Sequence, residues 1–149
     1  MKDLVYPAVI YKDENDQGFT IAIHDLGIVT DGETIVDAYI KAKELVSKIY
    51  TLLKKFPKEE QYALCDQLRR AVISIPSNIA EGSGRMTTKD QSHFYSIAYG
   101  SLMEVLAQLD VACDIGYITQ DEFQHIESLI DVEAKLLTGL VNKRNSSVH

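Results

Sequence analysis

Apolar residues recur along this chain at two periods, and the change falls near residue 34. Before it, Val5 to Tyr11 is rich in β-branched and aromatic side chains. After a polar turn segment from Lys12 to Gly18, Phe19, Ile21 and Ile23 alternate with Thr20 and Ala22. Alternation at a period of two predicts a β-hairpin. A third short strand is expected around Ile28 to Thr30, making residues 1–33 a small three-stranded antiparallel β head.

From Thr34 onward the period is helical. Thr34 stands three residues before Asp37, a capping-box-like start with Asp in place of the usual Glu. Ile35, Tyr39, Ala42, Val46, Ile49, Leu53 and Phe56 then alternate at spacings of four and three, as in a coiled-coil seam. One helix is expected from Thr34 to Lys55, shared by head and bundle with no Gly, Ser or Pro linker between them. Phe56-Pro57 ends it, because the residue before proline avoids the helical region and proline suits a first helical turn.

A second helix is expected from Pro57 to Gly82, with Leu68, Ala71, Val72, Ile75 and Ile79 on one face. Thr87 or Thr88 caps a third, in which Phe94, Ile97, Ala98, Ser101, Leu102, Val105, Leu109, Ala112 and Cys113 form a core stripe. A second stripe of Tyr95, Tyr99, Met103 and Leu106 runs beside it. One apolar face suffices for a lone bundle, so this second one predicts a contact between subunits. Gly116 stops the third helix, and Thr119 with Glu122 is a capping box for a fourth, running to about Asn142 with Phe123, Ile126, Ile130, Leu137 and Val141 on its core face. Residues 143–149 are expected to fray. The predicted fold is mainly α: an antiparallel up-down four-helix bundle over residues 34–142 carrying the β head.

The least regular chemistry lies in QLRRAVISIPSNIAEGSGR, from Gln67 to Arg85. Pro76 removes one backbone donor and crowds the carbonyl four residues earlier, so a kink or break is expected there. Ser74, Ser77 and Asn78 surround it with short polar groups able to take up freed backbone, Asn78 above all. Gly82 and Gly84 read as the helix stop. Glu81 and Arg85 are four apart, a spacing that supports an ion pair.

These residues carry a resemblance. Arg69-Arg70-Ala71, Ser74 to Gly82 and Gly84-Arg85 resemble the signature of the four-helix-bundle family of proteins encoded in 23S rRNA intervening sequences. Phe56-Pro57-Lys58-Glu59-Glu60 and Tyr99 to Glu104 are similar to two further blocks of that family, in the right order. The resemblance covers roughly Ala42 to Leu140. The family includes the accessory variability protein of diversity-generating retroelements, a basic pentameric barrel thought to hold a reverse transcriptase and its RNA. The resemblance therefore implies a homo-oligomer, with a pentamer favoured, that binds RNA or a ribonucleoprotein and has no known catalysis. The opening resembles the first half of HicB-type antitoxins in Tyr6-Pro7-Ala8-Val9, Gly18-Phe19, Asp25-Leu26 and Gly32-Glu33-Thr34. It departs where Gly27-Ile28-Val29 replaces the usual Pro-Gly-Cys, and it lacks the later strand and second helix.

Composition changes this picture in one respect. The 149 residues, 46% apolar and 25% charged, suit an ordinary globular domain, but the net charge is −7. Binding to nucleic acid rests on basic surface. Residues 1–43 hold eight acids against four lysines and so supply four of the seven net negative charges. Lys48, Lys54, Lys55, Lys58, Arg69, Arg70, Arg85 and Lys89 concentrate in the first half of the bundle. A ring of subunits would repeat any patch they form.

Catalytic and metal chemistry finds little support. The four histidines, His24, His93, His125 and His149, never fall at i, i+4, and no HExxH is present, so no metal or cofactor is expected. Ser74, Ser77 and Ser83 lack a GxSxG context. Gly82-Ser83-Gly84 follows a helix and precedes no GK[ST], which excludes a phosphate loop. Cys65 and Cys113 read as small core residues. No apolar run reaches a membrane-spanning length, and acidic residues come too early for a signal peptide, so a cytoplasmic protein is expected.

Two readings remain for the arginines. Either one of Arg69 and Arg70 is a structural partner of Glu81 or Glu104 and the other a solvated residue, or both join Arg85 and Lys89 on a surface that contacts phosphates. Pro76, Asn78, Glu81 and Gly82 are expected to be structural. The leading functional expectation is a non-enzymatic, homo-oligomeric scaffold for RNA or a ribonucleoprotein. The alternative is a regulator of antitoxin type whose head pairs with a toxin-like protein by strand addition.

Overall fold

The fold is built from four helices whose apolar seams close on one core. The computed structural model describes residues 8–12, 19–23 and 32–146, with side chains from residue 35 onward. Helix α1 is Gly32–Leu53, α2 is Leu64–Ser83, α3 is Thr88–Asp114 and α4 is Gln120–Ser146. Each packs against its neighbour in sequence, and α4 closes against α1. Cross-contacts fix the antiparallel order. Gly82 near the end of α2 meets Tyr95 near the start of α3, and Gln91 on α3 bonds Arg144 near the end of α4. Lys55, just after α1, pairs with Glu122 in the first turn of α4.

The expected three-stranded β head is not seen. What is described before α1 is one antiparallel ribbon, β1 (Ala8–Lys12) and β2 (Phe19–Ile23), with Ala8 opposite Ile23 and Lys12 opposite Phe19. No third strand joins it among the described residues. The expected one at Ile28 to Thr30 lies outside them, as do Tyr6, Pro7, Gly18, Asp25 and Leu26 of the antitoxin resemblance. Two strands make no sheet domain of their own, and β2 lies against α1. The architecture is therefore the helical bundle.

The seams run one position away from several expected places. In α1 Ala38 and Leu45 are buried alongside Ile35, Ala42, Ile49 and Leu53, while Tyr39 and Val46 pack half-buried at the rim. In α3 the seam is Tyr95, Ala98, Leu102, Val105, Leu109 and Ala112, a steady alternation of three and four. Tyr95 thus belongs to the core. In α4 the sequence Phe123, Ile126, Ile130, Glu133, Leu137, Leu140, Arg144 continues the same alternation through two charged residues, both buried.

The element ends follow local chemistry. After Pro57 the chain makes a single 3-10 turn, Lys58–Glu60, so α2 starts later than its pattern implied. The carboxylate of Glu60 accepts the Leu64 amide at 3.3 Å, meeting a donor that the first turn leaves open. Thr87 caps α3 by accepting from the Asp90 amide at 3.1 Å. Gly116 has φ of 82° and lets the amides of Tyr117 and Gly116 reach the carbonyls of Ala112 and Cys113 at 2.9 and 3.0 Å, which closes the end of α3. The capping box of α4 forms in both directions, with the Thr119 amide donating to Glu122 at 2.9 Å and the Glu122 amide donating to Thr119 at 3.2 Å.

Candidate functional site

The stretch that singled itself out in the sequence, Ser74 to Arg85, forms the outer half of α2 and its turn into α3. Pro76 does not break the helix: α2 runs through it from Leu64 to Ser83, with the ring buried. Neighbouring polar groups reinforce the weakened turn. The Ser77 hydroxyl donates to the Ile73 carbonyl at 2.8 Å, and the Asn78 amide donates to the Ser74 carbonyl at 2.8 Å and to its hydroxyl oxygen at 2.9 Å. Ser74 also shares a hydrogen bond of 2.8 Å with Ser101 on α3. Asn78, Ser74 and Ser101 are thus one polar seam across the α2–α3 interface; the carbonyl that Asn78 meets is that of Ser74, not that of Val72, which Pro76 leaves without its helical donor.

Gly82 and Gly84 do not act by left-handed geometry. Gly82 is helical, and Gly84 has φ of −86°. What requires glycine at 82 is proximity, since a Cβ there would lie 2.7 Å from Tyr95 Cε1 and 3.1 Å from Phe94 Cβ. That closeness draws the Tyr95 ring wholly inside, at 0% exposure. Tyr95 therefore cannot form the subunit contact expected of it. Met103 and Leu106 are half-buried against the core, which leaves Tyr99, at 37%, as the exposed member of that stripe.

The four expected phosphate contacts do not gather into one surface. Arg69 is folded back on the preceding turn, donating to the Gln61 side-chain oxygen at 2.8 Å and to its carbonyl at 3.3 Å. Neither Glu81 nor Glu104 is its partner. Arg70 pairs with Asp66 at 3.2 Å with its side chain 80% exposed. Arg85 pairs with Glu81 and lies over the Phe94 ring at 4.6 Å. Lys89 is exposed in the first turn of α3 and carries no ion pair among the described residues. Arg70 and Arg85 sit fifteen positions apart toward opposite ends of α2, about 22 Å at helical rise.

A second polar cluster, absent from the sequence expectations, lies where α3 begins and α4 ends. Arg144, 6% exposed, donates from Nε to Gln91 Oε1 at 2.9 Å and stacks over Tyr95 at 5.0 Å. Gln91 in turn donates to the Arg85 carbonyl at 2.9 Å, and Ser92 donates to Asn145 at 3.1 Å. Burial pushes the Tyr95 hydroxyl up to about 12, against the pull of Arg144. The seam alternation through position 144 was the available signal, masked by the charge of the residue.

Two open grooves complete the surface. One of about 350 Å³ lies between α1 and α2, lined by Tyr39, Lys43, Val46, Ile73, Pro76 and Ala80. The other, about 310 Å³ between α3 and α4, is lined by Ser96, Tyr99, Thr138, Val141 and Asn142. Among the described residues no group of three or more His, Cys, Asp and Glu side chains could hold a metal. No described helix is long and apolar enough to cross a membrane.

Comparison with known proteins agrees with the helical part of this description. The family model of the 23S rRNA-intervening sequence protein matches residues 35–139. The chain is similar to a solved structure of a Bacteroides thetaiotaomicron protein of unknown function from the S23 ribosomal protein family, at 23% identity and a TM-score of 0.65. That match covers 70% of this chain and 97% of the other. No curated protein matches. With well over half of its length matched, and with Ser74 to Arg85 locking α2 to α3, this chain belongs to the 23S rRNA-intervening sequence protein family.

Proposed function

We propose that the chain is a non-enzymatic scaffold: copies of the bundle associate through the α1–α2 face, and the assembly binds RNA or a ribonucleoprotein partner. The observation that carries this reading is the groove that half-buried Tyr39 and Val46 and exposed Ile73 line with apolar surface, over the buried Pro76. Tyr50 and Ile40 on α1 add exposed apolar area, at 42% and 39%. Surface of this kind fits a contact between protein chains.

Within the signature stretch, Ser74, Gly82 and Arg85 make contacts that hold α2 against α3, which suits a scaffold. On a single subunit Arg70, Arg85 and Lys89 are scattered, and the first two are partly offset by nearby carboxylates. Assembly multiplies such spots around a ring, and multivalency raises retention without any new contact.

The test is RNA retention measured across salt concentrations on the intact chain. The reading expects retention that falls steeply with salt and is lost when Arg70, Arg85 and Lys89 are replaced by glutamine. Retention unchanged by those substitutions, or absent at low salt, contradicts it.

A further inference from the structure

We infer that Glu133 makes the α1–α4 seam sensitive to rising pH: the folded chain carries it as the neutral acid, and its ionisation loosens α4 from α1. Glu133 occupies a core position of the α4 seam, between Ile130 and Leu137, with no solvent exposure. Neither carboxyl oxygen has a hydrogen-bond partner. A buried carboxylate without donors is strained electrostatically, and such a group holds its proton instead.

The surroundings allow little relief. From α1, Lys41 is the one charged group that acts on it, and Lys41 is itself tied to Glu44 at 3.2 Å and half-exposed. No titratable side chain of α2 or α3 bears on it among the described residues. The seam positions that those helices contribute, such as Ile75 and Leu102, are apolar. Burial accordingly pushes the Glu133 carboxyl up to about 8, with Lys41 opposing.

The direction of the pH effect follows. The folded value lies above that of the unfolded chain, so folding takes up a proton between roughly pH 4.5 and 8, and stability declines as pH rises through that window. This is opposite to the usual behaviour of a carboxylate paired in the native state. Of the two helices that α4 packs against, α1 makes the lesser contact, so the seam between them opens more readily to water for the developing charge.

The experiment is carbon NMR of the Glu133 carboxyl in the intact chain, with denaturant unfolding of the chain and of Glu133→Gln at pH 5, 7 and 9. The expected midpoint is near pH 8. The folding constant should fall on the order of a thousandfold from pH 5 to 9 relative to Glu133→Gln, since the proton's contribution weakens about tenfold for each pH step between the unfolded and folded midpoints. A midpoint below pH 5, or pH dependences that run parallel in the two proteins, overturns the inference. If Glu133→Gln does not fold, the NMR midpoint decides alone, and amide exchange in residues 38–45 and 130–137 must quicken between pH 6 and 9 beyond its intrinsic rate.

Discussion

Tyr95 packs so closely on Gly82 that a methyl group added at residue 82 would fall 2.7 Å from its ring, well inside van der Waals contact. The two residues lock the end of α2 to the start of α3. Gly82→Ala should therefore cost about 1–3 kcal/mol by overpacking. Tyr95→Leu made in the same chain should recover part of that loss in urea unfolding. Gly139→Ala is the control: nothing lies within 4 Å of its Cβ position, so a better helix former there should stabilise by up to about 1 kcal/mol.

The polar seam makes a second prediction. Asn78→Ala removes the donor that serves both the carbonyl and the hydroxyl of Ser74. In this half-buried place the expected loss is about 1–2 kcal/mol, measured by urea unfolding. Asn78→Asp should be at least as harmful, because it brings a carboxylate to the same carbonyl.

Arg144 and Arg70 should differ sharply although both are arginines. Arg144→Ala leaves the buried Gln91 oxygen without its partner and opens space over Tyr95, an expected loss of about 1–3 kcal/mol. Arg70→Gln disturbs only an exposed pair with Asp66 and should change stability by less than about 0.5 kcal/mol. Thermal unfolding of the two variants compares them directly.

Tyr95 should also titrate apart from the other tyrosines. Its folded hydroxyl, pushed up to about 12, lies above the ordinary value of 10. Stability linked to the neutral phenol is complete below pH 10 and is lost as pH rises toward 12. Ultraviolet titration should show a late phenolate step that disappears in Tyr95→Phe.

The helices were legible in the sequence because each carries a long apolar period and an explicit end: Thr87 and Thr119 as caps, Gly116 as a left-handed stop. Register within them was less so. Tyr95 looked like surface because tyrosine next to a second stripe suggests contact, and only the Gly82 notch across the interface reveals the room for its ring. Glu133 and Arg144 escaped because charge argues against burial, although both sit in unbroken three-four alternation. The three-stranded head failed for another reason: alternation over a few residues predicts strands but not the partner that completes a sheet. The arginines show the same limit, since sequence spacing suggested acids for Arg69 while the fold supplied Gln61 from the preceding turn.

Self-association is the claim on which the scaffold reading turns, and light-scattering mass of the intact chain in solution tests it most directly. One subunit weighs 16.7 kDa. The account predicts a stable multiple of that mass, five copies being the expected number, which falls toward one subunit when Val46 and Ile73 in the α1–α2 groove are both replaced by aspartate. A mass of one subunit at every concentration contradicts it.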